Sequence, residues 1–237
     1  MQATAGFRAL RELSPTVSVG VLTADLMNLA AELSIIEKAG VKLLHVDVMD
    51  GCFCPMMTVG PPFIKAIKTP LFKDVHLMIE EPVNKVADYV AAGADMITVH
   101  VESTRHIHRV FQQLREMKNA NDPRRGIVRG AALNPGTPLA ALEPVLGEIE
   151  MVLLLAVNPG WSGQKFASGM PERVLQLKSL LRGAGREDTL IAVDGGITRE
   201  NISSVRALGA DIIITGSAVF DGKAVAANAR FMLEAME

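Results

Sequence analysis

Two polar side chains stand two residues apart in the apolar run Leu44-His45-Val46-Asp47-Val48-Met49, which ends in a turn at Asp50-Gly51. Alternate residues of a strand project to one face, so the His45 imidazole and the Asp47 carboxylate emerge together from a buried strand. Two further apolar runs close in the same way. Asp74-Val75-His76-Leu77-Met78 brings a histidine and Leu190-Ile191-Ala192-Val193-Asp194 an aspartate. A single histidine at a strand end is ordinarily a hydrogen-bonded structural residue. Two imidazoles and two carboxylates at matching ends of apolar strands form a donor set for one divalent metal ion, such as Zn, Fe, Mn or Co. They converge only if the strands are parallel and neighbouring.

The elements needed for that convergence can be read along the chain. Strand patterns fall at residues 17–22, 41–47, 71–78, 96–100, 127–133, 151–157, 190–193 and 211–215. Helical patterns alternate with them, and Ala39-Gly40-Val41, Ala92-Gly93-Ala94 and Leu208-Gly209-Ala210 mark helix stops that feed the next strand. The strands are almost continuously apolar, as expected of strands buried on both faces of a parallel sheet. The pattern predicts an α/β fold, a (β/α)₈ TIM barrel over residues 16–237, preceded by an N-terminal extension over residues 1–15. A doubly wound open sheet would ordinarily carry a glycine-rich dinucleotide fingerprint after its first strand, and Gly20-Val21-Leu22-Thr23-Ala24 is not one.

Length and composition agree. The 237 residues are close to the ~250 typical of such a barrel. Apolar residues make up 49% but aromatics only 4%, so the core must be aliphatic. A net charge of −2 gives no reason to expect nucleic acid or an anionic membrane as partner. No apolar run approaches the ~20 residues of a membrane span, and the first 15 residues lack the apolar core of a signal peptide; the expected location is cytoplasmic. Cys52 and Cys54 are too close for a comfortable disulfide and read as reduced thiols in a loop. Arg105, His106, His108 and Arg109 read as a solvated helix face; His100 and Glu102, at the end of the fourth strand, are candidates for a place behind the metal ligands, with an ordinary structural role as the alternative.

Glycines supply a second device. Asp194-Gly195-Gly196 follows the seventh strand pattern and Thr215-Gly216-Ser217 the eighth. Barrels of this kind bind phosphate with the loops after their last two strands, where absent side chains let backbone N–H groups come close. Gly160, Trp161, Ser162 and Gly163, after the sixth strand, stand where they could close the same pocket.

Taken together, the blocks His45-Val46-Asp47-Val48-Met49-Asp50-Gly51, His76-Leu77-Met78, Leu133-Asn134-Pro135, Val157-Asn158-Pro159-Gly160, Val193-Asp194-Gly195-Gly196-Ile197 and Gly216-Ser217-Ala218-Val219-Phe220 resemble the ribulose-phosphate 3-epimerase family from Val17 onward. The resemblance implies a barrel of the ribulose-phosphate-binding type. It also implies a metal-dependent isomerase that interconverts D-ribulose 5-phosphate and D-xylulose 5-phosphate by proton transfer at C3 through an enediolate. By the same resemblance His45, Asp47, His76 and Asp194 hold one divalent metal, and Asp47 and Asp194 are the two acid/base groups. Met49, Met78, Asn158, Gly160 and Gly163 line the substrate pocket, and Gly195, Gly196, Gly216 and Ser217 take the phosphate. A homo-oligomer is implied too, of a symmetry that no stripe in the sequence fixes.

Around these blocks the chain departs from the family pattern. Gly20 stands where the family has a substrate-contacting serine, Cys52, Cys54 and Met56 replace His, Val and Asn after the first block, Leu155 replaces a methionine, and Trp161-Ser162 replaces Phe-Gly. A shifted preference, for another ketose phosphate such as D-allulose 6-phosphate, is therefore an alternative. A non-catalytic sugar-phosphate-binding barrel is a third reading, but it has no need of two bases. An orotidine-type decarboxylase would need a lysine where Met49 stands.

Overall fold

The computed structural model describes residues 4–161 and 163–237. Ser162, expected beside the phosphate pocket, and the first three residues of the N-terminal extension lie outside the described residues. Eight parallel strands close into a barrel in chain order: β1 (Thr16–Gly20), β2 (Leu43–Met49), β3 (Phe72–Met78), β4 (Met96–His100), β5 (Val128–Leu133), β6 (Met151–Leu155), β7 (Leu190–Asp194) and β8 (Ile212–Thr215), with β8 pairing back onto β1. Helix α1 (Ala5–Leu13) precedes the barrel. The outer helices are α2 (Leu29–Ala39), α3 (Pro61–Ala66), α4 (Val86–Ala91), α5 (Ile107–Glu116), α6 (Met170–Gly183), α7 (Ile202–Ala207) and α8 (Val225–Glu234). No helix among the described residues is long and apolar enough to cross a membrane.

Strand periodicity divides the core in two. Outward residues such as Leu44, Val46, Leu77, Val99 and Val152 join Ile36, Phe111 and Leu177 of the helices in one buried layer. The inward residues that open each strand, among them Leu43, Phe72, Met96, Val128, Met151, Leu190 and Ile212, form the barrel floor. The single-residue offset between the two sets decides which side chains reach the interior.

Three details differ from the sequence expectation. Residues 5–13 form a helix whose Phe7 and Leu10 join the floor cluster, and the Thr4 hydroxyl caps it by accepting from the Phe7 N–H at 3.1 Å. The fifth unit carries a 3₁₀ helix over Leu139–Val145 in place of an α-helix; Pro144 lies inside it and has no N–H to extend an α-helical ladder. β2 runs on to Met49, so Asp47 is held within a strand, where a loop would be freer.

Candidate active site

Sheet register builds the site. His45 lies opposite Asp74 across β2 and β3, and Asp47 lies opposite His76. All four point inward, because each is two residues from its neighbour on the same strand. The loop after β2 is tied back by Thr58, whose hydroxyl donates to the Asp47 carbonyl at 2.8 Å and accepts from the Met49 N–H at 2.9 Å. Asp194 arrives from the end of β7. One donor atom from each of His45, Asp47, His76 and Asp194 lies within 4.8 Å of all the others.

Each imidazole has both nitrogens engaged. His45 faces Asp74 through Nδ1 at 2.7 Å and Asp47 through Nε2 at 3.0 Å. His76 faces Asp47 through Nδ1 at 3.0 Å and His100 through Nε2 at 2.9 Å. One ring nitrogen of each histidine is thus held from behind, while the other turns toward Asp47 and the centre of the group. That is the arrangement metal-ligating histidines adopt. The Ser18 hydroxyl donates to Asp74 Oδ2 at 3.1 Å and completes the support behind His45.

Electrostatics separates the two carboxylates. Burial works against the Asp47 charge, but the His45 and His76 rings beside it hold its pKa far below the usual carboxylate range. Burial, reinforced by the Asp47 charge, raises Asp194 to about 6. Burial also opposes charging of His45, yet Asp74 and Asp47 raise it well above the ordinary histidine value. His100, buried and against His76, falls to about 4 and stays neutral. A buried group with two close carboxylates and two imidazoles fits a divalent cation in both donor chemistry and charge. Cys52 is exposed and Cys54 buried; neither joins this group.

Met49 and Met78 face each other across β2 and β3, one step beyond Asp47 and His76. The expected phosphate residues lie in the turns after β7 and β8, where they are also sites of close packing. Gly196 has a φ of 67°, and a Cβ there would lie 2.5 Å from the Phe166 nitrogen; one on Gly216 would lie 2.6 Å from Thr23 Oγ1. Gly160 similarly lets the loop after β6 pass over Pro55. Asn158 is exposed in that loop, which Gln164 ties together by donating from Nε2 to the Asn158 carbonyl at 2.6 Å and the Trp161 carbonyl at 2.9 Å. Gly163 and Ser217 are exposed. Sequence reasoning gave no role to Asp74, Ser18, Thr58 or Gln164. The spacing rule that selected His45 and Asp47 applies equally to Asp74, two residues before His76.

Comparison with known proteins identifies the family. The model of the ribulose-phosphate 3 epimerase family matches residues 16–220. A ribulose-phosphate 3-epimerase of Bacillus subtilis is 39% identical over 206 residues, covering 86% of this chain and 91% of that protein. One from Synechocystis is 42% identical, covering 86% and 87%. Among solved structures, 3-hexulose-6-phosphate synthase from Salmonella typhimurium superposes with a TM-score of 0.67 at 18% identity, covering 93% of this chain and 98% of that one, a likeness of fold alone. With both the barrel and its inward His and Asp residues in place, the chain belongs to the ribulose-phosphate 3-epimerase family.

Proposed function

We propose that the chain interconverts D-ribulose 5-phosphate and D-xylulose 5-phosphate by moving the C3 proton through an enediolate. Asp47 and Asp194 carry this reading: two half-buried carboxylates from β2 and β7 meet beside two buried imidazoles, with opposite pKa shifts. The C3 proton lies α to a carbonyl and is weakly acidic. Inverting that carbon needs one ionised carboxylate to take the proton and one protonated carboxyl to return a proton to the other face. A divalent cation, Zn, Fe, Mn or Co, held by His45, Asp47, His76 and Asp194 would supply Lewis-acid stabilisation of the developing oxyanion charge. Met49 and Met78 limit water at the reacting carbon. The turns bearing Gly195, Gly196, Gly216 and Ser217 receive the phosphate, with Asn158, Gly160 and Gly163 bordering the sugar. The reading also entails a homo-oligomer, testable by sedimentation.

Steady-state epimerisation by metal-reconstituted protein is the test. Turnover of ribulose 5-phosphate should fall at least ~100-fold in Asp194→Asn. Failure of the metal-loaded wild type to turn over this substrate overturns the reading. Gly20 favours a second one, an epimerase for another ketose phosphate. A Cβ at Gly20 would meet its nearest neighbour, the Gly216 Cα, at 3.5 Å, an ordinary contact. The backbone therefore does not require glycine there, and loss of the family's serine hydroxyl alters the pocket without a packing reason.

A further inference from the structure

Behind His76 a line of hydrogen bonds leaves the metal group and ends outside it. His76 Nε2 lies 2.9 Å from His100 Nε2, and His100 Nδ1 lies 3.1 Å from Glu102 Oε2. The other Glu102 oxygen accepts from the Asn134 N–H at 2.8 Å and from the Thr137 hydroxyl. Arg173 Nη2 fixes that loop by donating to the Asn134 carbonyl at 3.1 Å. His76 and His100 are both fully buried.

We propose that Glu102 and His100 are positioning residues that set the tautomer of His76, so that His76 offers its Nδ1 lone pair to a divalent cation and keeps its proton on Nε2. Donors and acceptors along the line leave one consistent arrangement, given that His76 is a ligand. A carboxylate only accepts, so the His100 nitrogen facing Glu102 must carry a proton. A neutral imidazole has one N–H, which leaves His100 Nε2 as an acceptor. The His76 nitrogen facing it must then donate, so Nδ1, which faces Asp47 Oδ1 at 3.0 Å, is the nitrogen that gives up its proton when a cation enters between them. His45 reaches the same centre by a different route: its Nδ1 donates to Asp74, and Nε2, which faces Asp47 Oδ1 at 3.0 Å, is the nitrogen left to turn to a cation. The two histidines therefore bind through different nitrogens, each chosen by a carboxylate outside the ligand set.

Glu102→Gln tests the relay with little change of shape. The Asn134 N–H and the Thr137 hydroxyl hold the single amide oxygen, so the amide NH₂ turns to His100. His100 must then accept at Nδ1 and protonate Nε2, which drives the His76 proton to Nδ1. Zinc titration by calorimetry should show affinity ~10–100-fold weaker than wild type. With only five histidines in the chain, ¹⁵N spectra of the metal-free variant should show the His100 proton moved from Nδ1 to Nε2. His100→Gln, which can accept from His76 and donate to Glu102, should retain zinc affinity, whereas His100→Leu should lose it. If Glu102→Gln binds zinc like the wild type with the His76 proton still on Nε2, or if His100→Leu matches His100→Gln, the relay is wrong. If the wild type itself binds no zinc, cobalt, manganese or iron, the metal-site reading fails and the relay with it.

Discussion

The two halves of the barrel interior are built from different chemistry. From β1 to β4 the inward residues include Ser18, His45, Asp47, Asp74, His76, Thr98 and His100. From β5 to β8 they are Val128, Gly130, Ala132, Met151, Leu153, Leu155, Leu190, Ala192, Ile212 and Ile214, with Asp194 alone at the rim. The polar half is a hydrogen-bonded network in which most members hold another. The apolar half offers Asp194 little solvation. The contrast explains why two aspartates in one group shift in opposite directions: Asp47 sits among imidazoles, Asp194 against aliphatic carbon and a neighbouring negative charge. One wall holds charges in place, and the other makes one charge costly.

The sharpest test of that division is Asp194→Asn in the metal-loaded protein. Turnover should drop by ~10²–10⁴-fold while the fold persists, measured by steady-state kinetics beside a thermal melt. Leu153→Ala, in the apolar wall, should show the converse in denaturant unfolding. Stability should fall by ~2–5 kcal/mol, with cation affinity within a few-fold of wild type; a large loss of affinity would mean that the two halves do not divide the labour. Asp74→Asn removes the carboxylate behind His45 and should weaken cation binding ~10–100-fold in a calorimetric titration.

A pH experiment on metal-free protein follows from Asp194. Its folded-state pKa of about 6 lies above the ordinary 3.8, so its contribution to stability is full below about 4 and is lost as pH rises through 6. Asp194→Asn should therefore be more stable than wild type at pH 7, by ~1–3 kcal/mol, with the gap closing near pH 4. His100, lowered to about 4, acts with opposite sign over much of the same range. The difference between variant and wild type, not the wild-type curve, is the quantity to read. Smallest of all should be Gly20→Ser, which adds a hydroxyl in an unstrained position: KM for ribulose 5-phosphate should fall a few-fold with stability changed by less than ~0.5 kcal/mol.

The strand order and the inward positions of His45 and Asp47 were legible because buried parallel strands write long apolar runs, in which a polar residue at a fixed spacing stands out. The exposed cluster of Arg105, His106, His108 and Arg109 was legible for the opposite reason: four cationic or ionisable side chains within five residues leave that stretch little to bury. Asp74 was overlooked because its role depends on facing His45 across the sheet, and register is not written in either strand alone. Gln164 and Thr58 were invisible because they serve loops whose closure is tertiary. The 3₁₀ helix at Leu139–Val145 and α1 are short elements, stabilised by what they pack on more than by their own periodicity. Gly196 and Gly216 read as phosphate-site residues from their place after the last two strands and from the family resemblance; the fold adds that close neighbours would exclude a side chain there in any case.

Helix α1 gives the barrel a closed end. Phe7 and Leu10 lie among the floor residues, and the Gly6 N–H donates to the Arg125 carbonyl at 2.9 Å, pinning the helix across the strand origins. Among the described residues, the floor cluster and α1 stand at the end of the barrel opposite the two aspartates. Isotope carried in at C3 would pass to a carboxyl at the end of the barrel away from α1, so label washout reports how fast that end exchanges protons with solvent before product leaves.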